Sequence, residues 1–100
     1  MTYRIGAHVS ISGGVEKAVE RQNEEAGNCG QIFAGSPRTW SVSEYEKKDG
    51  EKVMEARDEE DQNPYVIHST YLVNLATPKD DLFEKSLDCL QSELEAASQL

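Results

Sequence analysis

One hundred residues suffice for one modest domain, and 37% hydrophobic residues allow only a thin core. Nineteen acidic against ten basic residues give a formal net charge of −9, which argues against the basic stripe of an ordinary nucleic-acid binder. No apolar run approaches the ~20 residues of a transmembrane helix, and the opening MTYRIGAHVS lacks a signal-peptide core, so a cytoplasmic protein with no membrane partner is expected.

In chain order, Tyr3-Arg4-Ile5-Gly6-Ala7-His8-Val9 has the length and composition of a first strand. Gly13-Gly14 reads as a tight turn, because it is neither G-x-G-x-x-G nor followed by a phosphate-loop lysine. A first helix follows, capped by Ser12, with Val15, Ala18, Val19, Gln22 and Ala26 at helical spacing and Gly27 as its stop signal. Gly30–Ala34 reads as the second strand, with Cys29 at its start, and the loop Gly35-Ser36-Pro37-Arg38-Thr39-Trp40 comes next. Ser43-Glu44-Tyr45-Glu46 has the form of a capping box for a weaker second helix that Gly50 could break.

Tyr65-Val66-Ile67-His68 is the third strand. Thr77-Pro78 then supplies a cap and a first-turn proline for the third helix. There Phe83, Leu87, Leu90, Leu94 and Ala97 recur at steps of four and three, an apolar face expected to pack on the chain's own sheet. The order β-α-β-α-β-α implies parallel strands joined by crossover helices in one α/β domain. Three such strands leave bare edges and a bare face, so the pattern suits either a small open layer or the first part of a (β/α)8 barrel, which needs about 250 residues. Cys29 and Cys89 form no C-x-x-C and read as buried free thiols in a reducing compartment.

The acidic excess reads first as a solvated surface, and with only six lysines it fits a protein from a high-salt organism. High salt weakens the objection to nucleic acid. Screening shortens the reach of surface charge to roughly 3 Å at 1 M, so local donors decide binding.

Sites in parallel α/β folds collect at the carboxyl ends of the strands. Both histidines of the chain, His8 and His68, fall near such ends, and Arg38, Trp40 and Tyr71 follow them closely. Each has an ordinary reading as a packing or solvated residue. Together they offer imidazole for a metal, guanidinium for phosphate and flat rings for bases, a set suited to a metal-dependent enzyme acting on a phosphodiester.

Ile5-Gly6-Ala7-His8-Val9-Ser10, Gly13-Gly14, Ser36-Pro37-Arg38-Thr39-Trp40 and His68-Ser69-Thr70-Tyr71-Leu72-Val73-Asn74-Leu75 resemble, in order and spacing from Tyr3 to Leu100, the N-terminal part of the endonuclease IV family. The resemblance implies residues 1–100 as the N-terminal portion of a xylose-isomerase-like TIM-barrel domain, with only the first three β-α units present. It implies a zinc-dependent apurinic/apyrimidinic endonuclease of DNA base-excision repair, cutting the phosphodiester 5′ to an abasic site to leave a 3′-hydroxyl. It implies a trinuclear zinc cluster, DNA with abasic sites as partner, and a monomer when complete.

By the same resemblance His68 matches a zinc-binding histidine, Arg38 and Tyr71 match residues that enter the DNA at the lesion, and His8 and Trp40 match motif residues at the rim without an assigned ligand role. Thr70 stands where the family usually has serine or another small residue. The remaining cluster ligands are expected beyond Leu100, so these residues alone are expected to be inactive, and no catalytic group is assigned among them. Two other readings stand beside this one: a sugar isomerase or epimerase of the same barrel superfamily, and a non-catalytic truncated fragment.

Overall fold

A computed structural model describes residues 3–100. The elements follow the expected order: β1 (Ala7–His8), α1 (Glu16–Glu24), β2 (Gly30–Phe33), α2 (Lys47–Glu60), β3 (Tyr65–His68) and α3 (Asp80–Gln99). The strands form one parallel sheet in the order β1-β2-β3. Ala7 pairs with Gly30, and Gly30 to Phe33 pair with Tyr65 to His68 without a slip. Successive side chains of a strand point to opposite faces. One face therefore carries Ile32, Tyr65 and Ile67, and the other carries His8, Gln31, Phe33, Val66 and His68.

The core fills the first face only. Ile32 packs with Val15, Ala18 and Val53, and half-buried Val9, Ile11, Tyr45, Tyr65, Ile67 and Leu100 close around them. Two glutamines are sealed at its margin. Gln22 Oε1 accepts from the Ala7 amide at 3.1 Å, and Gln62 Nε2 donates to the Val19 carbonyl at 3.2 Å. The Tyr65 hydroxyl donates to Gln62 Oε1. Buried amides are tolerated because these bonds replace water.

Several local expectations shift. The first strand is two residues long rather than seven, because the Asn28 side chain takes the backbone of the preceding segment. Asn28 Oδ1 accepts from the Ile5 amide and its Nδ2 donates to the Tyr3 carbonyl, both at 2.8 Å. Ser12 does not cap α1; Gly13 and Gly14 turn at φ of 90° and 141°, and the helix starts after Val15. Ala26, not Gly27, takes the left-handed turn that ends α1, at φ 61°. The Gly27 amide bonds the Gln22 carbonyl and the Ala26 amide bonds that of Asn23, a Schellman closure. Gly27 is needed for space, since a Cβ there would overlap the Gln22 amide. Cys29 precedes β2 and is half-buried, while Cys89 is buried; both are free thiols.

α2 begins after Glu46, three residues later than the Ser43 box predicts, and Asp49 Oδ2 accepts the Glu46 amide at 2.8 Å. Gly50 does not break it. The helix runs through, and Gly50 lets the chain end approach, because a Cβ there would overlap the Gln99 carbonyl oxygen. α3 starts at Asp80, with Thr77 Oγ1 accepting the Lys79 amide at 3.3 Å.

The largest difference lies in α3. Its inward residues are Ser86, Cys89, Glu93 and Ala96, while Phe83, Leu87 and Leu94 of the expected core face stand exposed. The helix lies beside α2, at Gly50, and over the loop after β3, whose amide and hydroxyl groups need polar partners. The apolar stripe is thus turned outward. The radius of gyration, 14.6 Å, exceeds the roughly 13 Å of a compact 100-residue domain, as expected for a layer covered on one side.

Gly50→Ala sets a helix-propensity gain of about 1 kcal/mol against backbone overlap with Gln99. We expect a net loss of about 1–2 kcal/mol in stability by chemical denaturation, with α3 frayed at its C-terminal end in amide exchange.

Candidate functional site

At the carboxyl ends of the strands, the bare face gathers four rings. His8 and Phe33 have centroids 4.4 Å apart, Phe33 and His68 5.1 Å, Phe33 and Tyr71 5.4 Å, and His68 and Tyr71 6.2 Å. The two imidazoles are 6.4 Å apart. Parallel register produces this cluster: Phe33 is the direct partner of His68, and His8 pairs with Gln31 two residues back on the same face. Tyr71 leaves the strand three residues after His68 and folds back onto Phe33, with 64% of its surface still exposed.

The imidazoles carry their protons on opposite nitrogens. His68 Nδ1 lies 2.6 Å from the Ser69 carbonyl oxygen, which only accepts, so Nδ1 holds a proton and, in the neutral ring, the lone pair is on Nε2. That is the arrangement of a metal-ligating histidine, with one ring nitrogen fixed by a carbonyl and the other open. His8 Nδ1 accepts from Gln31 Nε2 at 3.0 Å, so its neutral ring is a donor at Nε2. Partial burial, with the nearby His68 as the lesser cause, holds the His8 pKa below the ordinary 6.5.

Arg38 is exposed on the loop after β2, its amide donating to Ser36 Oγ at 3.4 Å. This loop is joined to the one after β3, since the Tyr71 amide donates to the Pro37 carbonyl at 2.8 Å. Arg38 and Tyr71 are therefore carried on two tethered loops at one rim. Trp40 is half-buried and lines a shallow hollow with Lys85, Asp88, Cys89 and Ser92 of α3.

Phe33 and Gln31 were not singled out as site residues from the sequence. Phe33 is the ring every other ring leans on, and Gln31 sets the His8 tautomer. Their place at odd positions of a strand whose partner ends in histidine was the available signal, but it needs the pairing register to be read.

Among the described residues, no group of three or more His, Cys, Asp or Glu side chains lies close enough to hold a metal ion. Zinc takes about four ligands in a fixed geometry. His68 fits one ligand position; the described chain does not build a closed site around it.

No protein-family profile matches the chain. It is 53% identical over 97 residues to "Probable endonuclease 4" of Haloarcula marismortui, covering 97% of this chain and 35% of that protein. A protein of the same name from Haloquadratum walsbyi is also 53% identical, covering 96% of this chain and 34% of its own length. The crystal structure of endonuclease IV from Thermus thermophilus superposes with a TM-score of 0.90 at 39% identity, covering 98% of this chain and 37% of that one. The chain thus spans about a third of these relatives, their N-terminal part, and its three β-α units are the first three of the barrel. The relatives come mostly from halophiles, which accords with the acidic composition.

Because His8 is held neutral, its lowered pKa contributes stability above the unfolded value of 6.5 that is lost as pH falls through the folded value. NMR titration should find His8 protonating below 6.5. Gln31→Glu, which places a carboxylate on its ring nitrogen, should raise that midpoint. A midpoint that does not move would contradict the Gln31–His8 contact.

Proposed function

We propose that the chain forms the N-terminal part of a zinc-dependent apurinic/apyrimidinic endonuclease of base-excision repair, which cuts 5′ to an abasic site and leaves a 3′-hydroxyl. Residues 1–100 belong in this reading to one barrel domain that is monomeric when complete, and by themselves they are inactive for want of further metal ligands. The observation that carries it is the His68 ring, with Nδ1 on the Ser69 carbonyl and Nε2 open beside exposed Tyr71. The names of its relatives support the nuclease class.

His68 would hold zinc through Nε2. When bound, zinc supplies Lewis acidity toward a phosphodiester. The rest of the described rim handles DNA. Arg38 offers a forked donor to phosphate, on a loop fixed to that of Tyr71 by the Pro37–Tyr71 bond. The Tyr71 phenol presents a flat face to the gap left in a base stack, where unstacking is cheapest. His8, neutral with its proton on Nε2, is a rim donor rather than a ligand. The net charge of −9 does not oppose this at high salt, where only nearby groups act.

A direct test replaces the matching N-terminal third of Thermus thermophilus endonuclease IV with this chain. The chimera should cleave an abasic duplex and spare an intact one. His68→Ala should lower its zinc content. Tyr71→Ala should leave zinc content unchanged and reduce discrimination about tenfold, the scale of one stacked ring. A chimera that melts cooperatively yet shows no preference for the abasic duplex refutes the reading, and turnover of a sugar instead would favour an isomerase.

A further inference from the structure

The buried polar groups of α3 are unused by the site as described, yet they converge on it. Ser86, fully buried, accepts the Asn74 amide on its Oγ at 2.9 Å. Three residues along, buried Cys89 lies 3.9 Å from the hydroxyl of buried Thr70 and donates its thiol proton to Glu93 Oε1 at 3.5 Å. Burial raises the Cys89 pKa, which keeps the thiol protonated and able to donate. Its sulfur is then free to accept from Thr70. The two anchors fall at residues 70 and 74, and Tyr71 sits between them, with its own amide held by Pro37.

We propose that Ser86 and Cys89 are positioning residues for Tyr71: from the inward face of α3 they clamp the segment that follows His68, so that the phenol stands at the rim against Phe33. Tyr71 itself cannot supply this order, because most of its surface is exposed and its described contacts are two edge-on rings and one amide bond. A long exposed side chain on an untethered loop would spread over several rotamers. The clamp also accounts for the outward turn of the apolar stripe, since polar groups on α3 can reach Thr70 and Asn74 only if Ser86 and Cys89 face in. That Tyr71 acts on DNA rests on the function proposed above; that α3 fixes its position does not.

The test uses the 100-residue chain. In the unmodified protein the Asn74 amide should be protected from exchange, and Tyr71 and Phe33 ring protons should show a nuclear Overhauser effect. An unprotected Asn74 amide overturns the proposal without any substitution. Ser86→Ala should speed Asn74 exchange about tenfold, the scale of one buried hydrogen bond, and weaken the Tyr71–Phe33 effect, while the Ile32 and Ile67 amides stay protected. Cys89→Ala should loosen Tyr71 in the same way, and Cys89→Ser, which keeps a donor and an acceptor, should restore it. Tyr71 order unchanged in both alanine variants, with the core amides intact, refutes the clamp. Binding of the chimera described above to an abasic-analogue duplex against an intact duplex separates the two readings. If Tyr71→Ala leaves discrimination unaltered, the DNA role of Tyr71 fails, and the ring effect alone still decides the clamp.

Discussion

The pairing of β2 with β3 is the constraint on which everything at the rim depends. Gly30 to Phe33 lie in register against Tyr65 to His68, so Ile32 and Ile67 are driven into the core together and Phe33 and His68 are driven out of it together. A slip of one residue would exchange the two sets. The buried side therefore fixes the open side: burying isoleucine under α1 and α2 is what presents imidazole and phenyl on the opposite face. Gly30 helps set this pairing, because a side chain there would overlap the Tyr65 ring.

Coverage of one face and exposure of the other is unusual for parallel strands, which are ordinarily buried on both. Here Val66, His8, His68 and Tyr71 lie open, and so do Phe83, Leu87 and Leu94 on α3. Both exposures agree with the first three units of a barrel, whose inner strand face and intervening helix flanks are covered by further units in proteins about three times as long. What holds the described residues together meanwhile is partly polar. Sealed Gln22 and Gln62, the Asn28 clasp on Tyr3 and Ile5, and the Arg4–Asp61 pair at 3.3 Å close the margin that a thin apolar core leaves. The last of these is solvent-exposed and contributes little.

Two scales of electrostatics meet in this chain. The net charge is spread over exposed helix surfaces, where salt screens it. At the rim the relevant groups are few and local: a lone pair on His68, a proton on His8 and a guanidinium on the neighbouring loop. Their roles follow from single contacts with Ser69, Gln31 and Pro37 rather than from overall charge.

The sequence by itself determined the order of six elements, the parallel sheet, the third strand to the residue, and the clustering of His8 and His68 at strand ends, because hydrophobic period and turn residues are local properties. Family-like motifs also marked Arg38 and Tyr71 before any fold was known. Only the tertiary structure decided that Phe33 is the hub of the rings, that Trp40 sits under α3, that the two histidines hold opposite tautomers, and that α3 turns its serine and cysteine inward. The helix period on α3 offers two stripes at the same spacing, one apolar and one polar, and hydrophobicity alone selects the first. The choice of the second comes from the Thr70 hydroxyl and the Asn74 amide, which pair with Cys89 and Ser86 and whose approach to the helix no spacing in the chain encodes.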